Sequence, residues 1–110
     1  MKIALAQINT TIGDFAGNEA KILAAYQRGV EAGVELVVAP ELATTGYPPR
    51  DLLLRRPVLE QNLASLDRLV TATAQTGLLV GFVGENAKRP GRALTNSVAL
   101  LRNGKIVATR

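Results

Sequence analysis

Two apolar runs separated by a segment with helical period constrain this chain most. Leu36 to Ala39 is apolar without interruption and stops at Pro40, with a carboxylate, Glu41, directly after it. Proline has no N–H to give a sheet ladder, so it marks the end of a strand. Lys2 to Ile8 places Ile3 and Leu5 on one face and Ala4, Ala6 and Ile8 on the other. That is the pattern of a strand covered on both sides. Between the runs, Ile22, Tyr26 and Val30 recur at i, i+4, i+8 and form one apolar stripe. Asn18 is a candidate helix cap and Gly33 a helix stop. Strand, helix and strand in this order predict a βαβ unit with a right-handed crossover. Glu41 then falls at the C-terminal tip of the second strand, where open α/β sheets form ligand crevices. An ionised carboxylate there is either paired or functional, because desolvating it alone is costly.

The rest of the chain continues the pattern. Asn9 to Gly17 and Thr44 to Pro49 read as loops, and Asp51 to Arg56 as a helical turn with Asp51 at its N-terminal dipole. Gly46, Pro48 and Pro49 serve loop geometry. Pro57 suits a helix start, and Leu59, Leu63, Leu66, Val70 and Thr73 predict a second apolar stripe on a helix running to Gly77. Leu78 to Val83 predicts a third strand, Asn86 to Leu94 a polar turn region, and Asn96 to Leu101 a fourth strand. Asn103-Gly104 signals a type I′ hairpin that returns Lys105 to Thr109 as an antiparallel fifth strand. Gln7 and Asn96 are polar positions on otherwise apolar strands and are expected to satisfy buried backbone groups.

Composition removes several classes of chemistry. With no cysteine and no histidine, these residues hold no disulfide, Cys/His zinc site, cysteine nucleophile or histidine triad. The lack of cysteine is compatible with a reducing cytoplasm, and a cytoplasmic location is the expectation. No apolar run approaches membrane-spanning length, so no membrane partner is expected. The net charge is +4, but the basic residues are scattered and no aromatic residues interleave with them, which argues against a nucleic-acid partner. Gly81-Phe82-Val83-Gly84-Glu85 lacks the spacing of a phosphate loop or dinucleotide fingerprint, so no cofactor is expected in this chain. Residues 1–110 show no linker or repeat and read as part of one domain, with truncation expected after Arg110.

Several segments together resemble one known family. Lys2-Ile3-Ala4-Leu5-Ala6-Gln7-Ile8-Asn9 is similar to the opening strand of the nitrilase (carbon–nitrogen hydrolase) superfamily. Gly13-Asp14-Phe15 with Asn18 resembles its first loop, and Ala39-Pro40-Glu41-Leu42 the segment bearing its catalytic glutamate. Thr95-Asn96-Ser97 and Asn103-Gly104-Lys105-Ile106-Val107 resemble the hairpin before its catalytic lysine. Within the superfamily, Thr45-Gly46-Tyr47-Pro48-Pro49-Arg50-Asp51-Leu52-Leu53 is most similar to the N-terminal glutaminase domain of glutamine-dependent NAD⁺ synthetases.

The resemblance implies the first half of an α-β-β-α sandwich, with two helices on one face of a mixed sheet. It implies a Glu-Lys-Cys amidohydrolase in which only the glutamate maps here, onto Glu41 as general base and acid. The lysine is expected about two residues beyond Arg110 and the cysteine further on; Lys105, on the hairpin turn, does not match. Tyr47 is a candidate substrate-binding residue, with loop packing as the other reading. The implied partners are glutamine and an ammonia-accepting synthetase domain using ATP and Mg²⁺, within a homo-oligomer. An exposed sheet face and strand edge are expected for the 110-residue chain alone, favouring association. Two other readings stay open: part of a stand-alone nitrilase-type amidase or carbamoylase, and a non-catalytic basic α/β binding module.

Overall fold

The computed structural model describes residues 1–46, 56–85 and 94–110. Five strands form one sheet in the order β1-β2-β3-β4-β5. They are β1 (Ile3–Leu5), β2 (Leu36–Val38), β3 (Gly77–Glu85), β4 (Leu94–Arg102) and β5 (Lys105–Thr109), with helices α1 (Phe15–Glu31) and α2 (Arg56–Ala72) between the first three. β1, β2 and β3 pair in parallel, and β4 and β5 add antiparallel. Two consecutive crossovers of one hand place both helices on the same face of the sheet. The mixed sheet with a one-sided pair of helices is the expected architecture.

The core lies between the helices and that face. Ile22 and Tyr26 of α1 and Leu66 and Leu69 of α2 pack on Val37, Leu78, Val80, Phe82, Ala99 and Leu101. Those strand positions alternate, as side chains on one face of a strand must. Ala4, Ala6 and Ile8 lean against the same core, so the two faces of the first strand divide as expected. The cover does not: Leu5 is 71% and Ile3 51% exposed, because among the described residues no helix lies on their side.

Several boundaries differ from expectation for local reasons. β1 ends at Leu5, two residues short of Gln7, which is exposed rather than set among buried backbone groups. Asp14, not Asn18, caps α1: its carboxylate accepts from Gly17 N at 3.0 Å, so the helix starts inside the expected loop. Gly33 ends α1 as expected, with Val34 N reaching back to Gly29 O at 3.1 Å. α2 stops at Ala72 rather than Gly77, because Gly77 already belongs to β3 and pairs with Leu36. Leu94 is the first residue of β4, not part of the turn before it. The Asn103-Gly104 turn joins the paired residues Arg102 and Lys105, with both turn residues at positive φ, as a type I′ hairpin requires. The helical turn proposed for 51–56 and the polar segment after Glu85 lie largely outside the described residues.

Candidate active site

β2 is short, and its end leaves the edge of β3 open. Three groups close that edge in succession. Ala39 N donates to Leu79 O at 2.8 Å, Thr44 N approaches Gly81 O at 3.4 Å, and the Asn62 side chain of α2 takes both backbone groups of Val83. The segment from Glu41 to Thr45 therefore turns away from the sheet at the strand's C-terminal tip, where the sequence places the carboxylate.

The turn is held from three sides. From below, Gly81 of β3 lets it come close: a Cβ on Gly81 would stand 2.4 Å from Leu42 N and 3.1 Å from Pro40 O. From the helices, two fully buried asparagines grip Thr44. Asn18 Nδ2 donates to Thr44 O at 3.1 Å and to Thr11 O at 2.8 Å, while its Oδ1 accepts from Thr11 N at 2.7 Å. Thr44 Oγ1 donates to Asn62 Oδ1 at 2.9 Å. From the first loop, Gly13 N donates to Thr45 O at 2.8 Å, and Gly46, at φ 82°, sits where a Cβ would be 2.7 Å from the Thr11–Ile12 backbone. Asn18 thus ties two loops together instead of capping the helix. Leu42 adopts φ 48°, a left-handed conformation that costs a non-glycine residue roughly 1–2 kcal/mol. These contacts enforce it, and such strain concentrates at functional segments.

Glu41 itself is exposed, and its Oε1 accepts a hydrogen bond from Asn96 Nδ2 of β4. Asn96 therefore does not serve a buried backbone group; it serves this carboxylate. Sequence reading could not assign that pairing, because it joins residues 55 apart across an intervening strand. Both side chains open on a cleft of about 380 Å³ whose lining also includes Pro40, Gly81, Ser97 and Arg110. A carboxylate at the tip of a parallel strand, steadied by a neutral donor inside a cleft, is suited to taking and returning protons. Tyr47, the other candidate site residue, lies outside the described residues. Among the described residues, no three acidic, histidine or cysteine side chains gather to hold a metal ion, and no helix is long and apolar enough to cross a membrane.

The mixed sheet covered by helices on one face, with a carboxylate at a strand tip, is one half of an α-β-β-α sandwich. The chain belongs to the carbon-nitrogen hydrolase family, whose model matches residues 2–110. It is 35% identical over 109 residues to a glutamine-dependent NAD(+) synthetase of Thermotoga maritima, covering 97% of this chain and 18% of that protein. To the synthetase of Synechocystis it is 42% identical over 108 residues, covering 94% and 19%. Among solved structures, a glutamine-dependent NAD(+) synthetase from Cytophaga hutchinsonii superposes with TM-score 0.89 at 28% identity, covering 99% of this chain and 18% of that one. An amidase from Nesterenkonia superposes with TM-score 0.82 at 27% identity, covering 99% and 41%. The chain thus spans about a fifth of the length of the curated relatives it matches.

Proposed function

We propose that this chain is the part of a glutamine amidohydrolase domain that carries the general base, Glu41. In the complete protein, that domain hydrolyses glutamine to glutamate and ammonia. The ammonia passes to a synthetase domain that converts deamido-NAD⁺ to NAD⁺ with ATP. The observation that carries this reading is the Glu41 carboxylate, fixed at the strand tip and open to a cleft. The names of the similar synthetases supply glutamine and NAD⁺ synthesis; deamido-NAD⁺, ATP and the passage of ammonia come from the family resemblance.

The chemistry asks two proton transfers of Glu41 in each half-reaction. It takes the proton of a thiol nucleophile as sulfur attacks the amide carbon, and gives it to nitrogen as ammonia leaves. It then takes a proton from the water that attacks the thioester, and returns it to sulfur as glutamate departs. The nucleophile is not in these residues, since the chain has no cysteine. One solved form of the Nesterenkonia amidase carries a glutamate-to-glutamine mutation and shows acrylamide added at an active-site cysteine. ATP and Mg²⁺ belong to the synthetase domain. The residues here do not fit them: the glycines of β3 lack phosphate-loop spacing, and no acidic cluster forms among the described residues.

The likeness to the amidase favours a second reading, a stand-alone amidase, and one variant separates the two. In the complete protein, Glu41→Gln is expected to lower glutamine-driven NAD⁺ synthesis roughly 10²–10⁴-fold while synthesis from added ammonia persists. Glutaminase activity near wild type would refute the general-base assignment. Amide hydrolysis by the unaltered protein, with no NAD⁺ synthesis from either nitrogen source, would favour the stand-alone amidase.

A further inference from the structure

We propose that Asn96 is a positioning residue for Glu41: it holds Oε1 and leaves Oε2 as the working oxygen. The inference rests on the general-base reading above and adds a residue to it. Three observations carry it. First, Asn96 Nδ2 donates to Glu41 Oε1, the single side-chain bond to this carboxylate among the described residues. Second, the two residues are not sheet neighbours. Asn96 pairs with Val83 of β3, while Glu41 follows β2, so the contact must cross the whole width of β3. Gly81 makes the crossing possible. Along β4, Asn96 and Val98 alternate with Ser97 and Ala99, and Ala99 points to the helices. Asn96 therefore stands on the open face, the face of Val98, which pairs with Gly81. With no side chain at Gly81, the Glu41–Leu42 turn settles onto that strip of β3 and meets Asn96. Third, Asn96 and Glu41 line the same cleft.

The residue type fits the task. An ionised carboxylate only accepts, and an amide nitrogen donates without bringing a charge. A lysine or arginine in this place would neutralise the base; a hydroxyl would not reach as far across β3. Asparagine fixes one oxygen of an otherwise exposed, freely rotating side chain and leaves the charge available. Misplacement of a reacting group by about 1 Å can cost on the order of 10²-fold in rate.

Two measurements test the role. In the complete protein, Asn96→Ala is expected to lower kcat for glutamine hydrolysis on the order of 10²-fold with little change in KM, the signature of a group that serves the chemical step and not substrate binding. Asn96→Asp keeps the shape, removes the donor and sets a second carboxylate beside the first, so it is expected to be no better than alanine. Asn96→Gln keeps the amide and is expected to recover part of the rate. In the 110-residue chain, the Asn96 side-chain amide is followed in a ¹H–¹⁵N spectrum. Its protons are expected to move upfield when Glu41→Gln removes the charged acceptor. An unmoved amide signal overturns the contact, whatever the kinetics. A moved signal with Asn96→Ala at wild-type kcat overturns the positioning role alone. Full activity in Glu41→Gln overturns the general-base reading and this role with it, and the spectrum still reports the contact.

Discussion

Asn62 of α2 holds Val83 of β3 by both of its backbone groups: Nδ2 donates to Val83 O at 2.6 Å, and Oδ1 accepts from Val83 N at 3.1 Å. The same Oδ1 accepts from Thr44 Oγ1, so one fully buried side chain replaces the missing end of β2 and anchors the turn that bears Glu41. Asn62→Leu keeps the volume and removes every one of these bonds. It leaves a buried N–H and C=O without partners, and each such group costs about 1–3 kcal/mol. A loss of about 3 kcal/mol in urea unfolding is expected, with an unchanged slope against denaturant.

Gly81 and Gly84 lie on the same strand and differ in what a side chain would meet. At Gly81 a Cβ runs into backbone, 2.4 Å from Leu42 N, and backbone of a constrained turn cannot step aside. At Gly84 it meets the hydroxyls of Thr95 and Ser97 at 2.6 and 2.7 Å, which can rotate away. Gly81→Ala is therefore expected to keep the circular dichroism of the fold while displacing Glu41. On the proposed function, glutamine hydrolysis by the complete protein is expected to fall by on the order of 10²-fold. Gly84→Ala is the matched control and should fall far less; equal losses at the two positions would remove Gly81 from the account of the site.

Tyr26 closes the connection between α2 and β3. Its hydroxyl donates to Thr76 O at 2.6 Å and accepts from Ala74 N at 2.9 Å, while its ring packs in the core. Tyr26→Phe keeps the ring and strands both backbone groups near the surface. A loss of about 1–2 kcal/mol is expected in thermal or urea unfolding, with the fold unchanged.

The βαβ unit, the final hairpin and the strand-tip position of Glu41 were legible because they follow from apolar period and from proline, asparagine and glycine punctuation, while the one-sided helices came with the family resemblance. Asp14, Asn18 and Asn96 were given other roles than the structure shows and Asn62 was given none, for one physical reason. A polar side chain announces a local role, a cap or a turn, but its actual partner is chosen by tertiary proximity. Asn18 looks like a cap because it opens an apolar stripe; it is buried because Thr11 and Thr44 satisfy its amide. Asn62 interrupts a leucine stripe and so drops out of any hydrophobic pattern, although it is fully buried. The contact between Asn96 and Glu41 depends on a missing side chain at Gly81, which no pairwise pattern reveals.

The buried face of α2 gives the last prediction. A stripe of Leu59, Leu63, Leu66 and Val70 puts Leu63 in the core, yet Leu63 is 37% exposed and Leu69 is 0% exposed. The face is rotated toward Asn62, Ser65 and Leu69 because the two polar members find partners inside. Ser65 Oγ donates to Glu19 Oε1 at 2.7 Å, and Arg68 Nε donates to the same carboxylate at 3.0 Å, locking α2 to α1 on that side. Leu69→Ala empties a site at the centre of the core and is expected to cost about 3 kcal/mol. Leu63→Ala, with much of its side chain in water, is expected to cost less than about 1 kcal/mol. Urea unfolding of the two variants decides which stripe faces the sheet; a larger cost at Leu63 would mean that α2 packs in the register its leucines alone suggest.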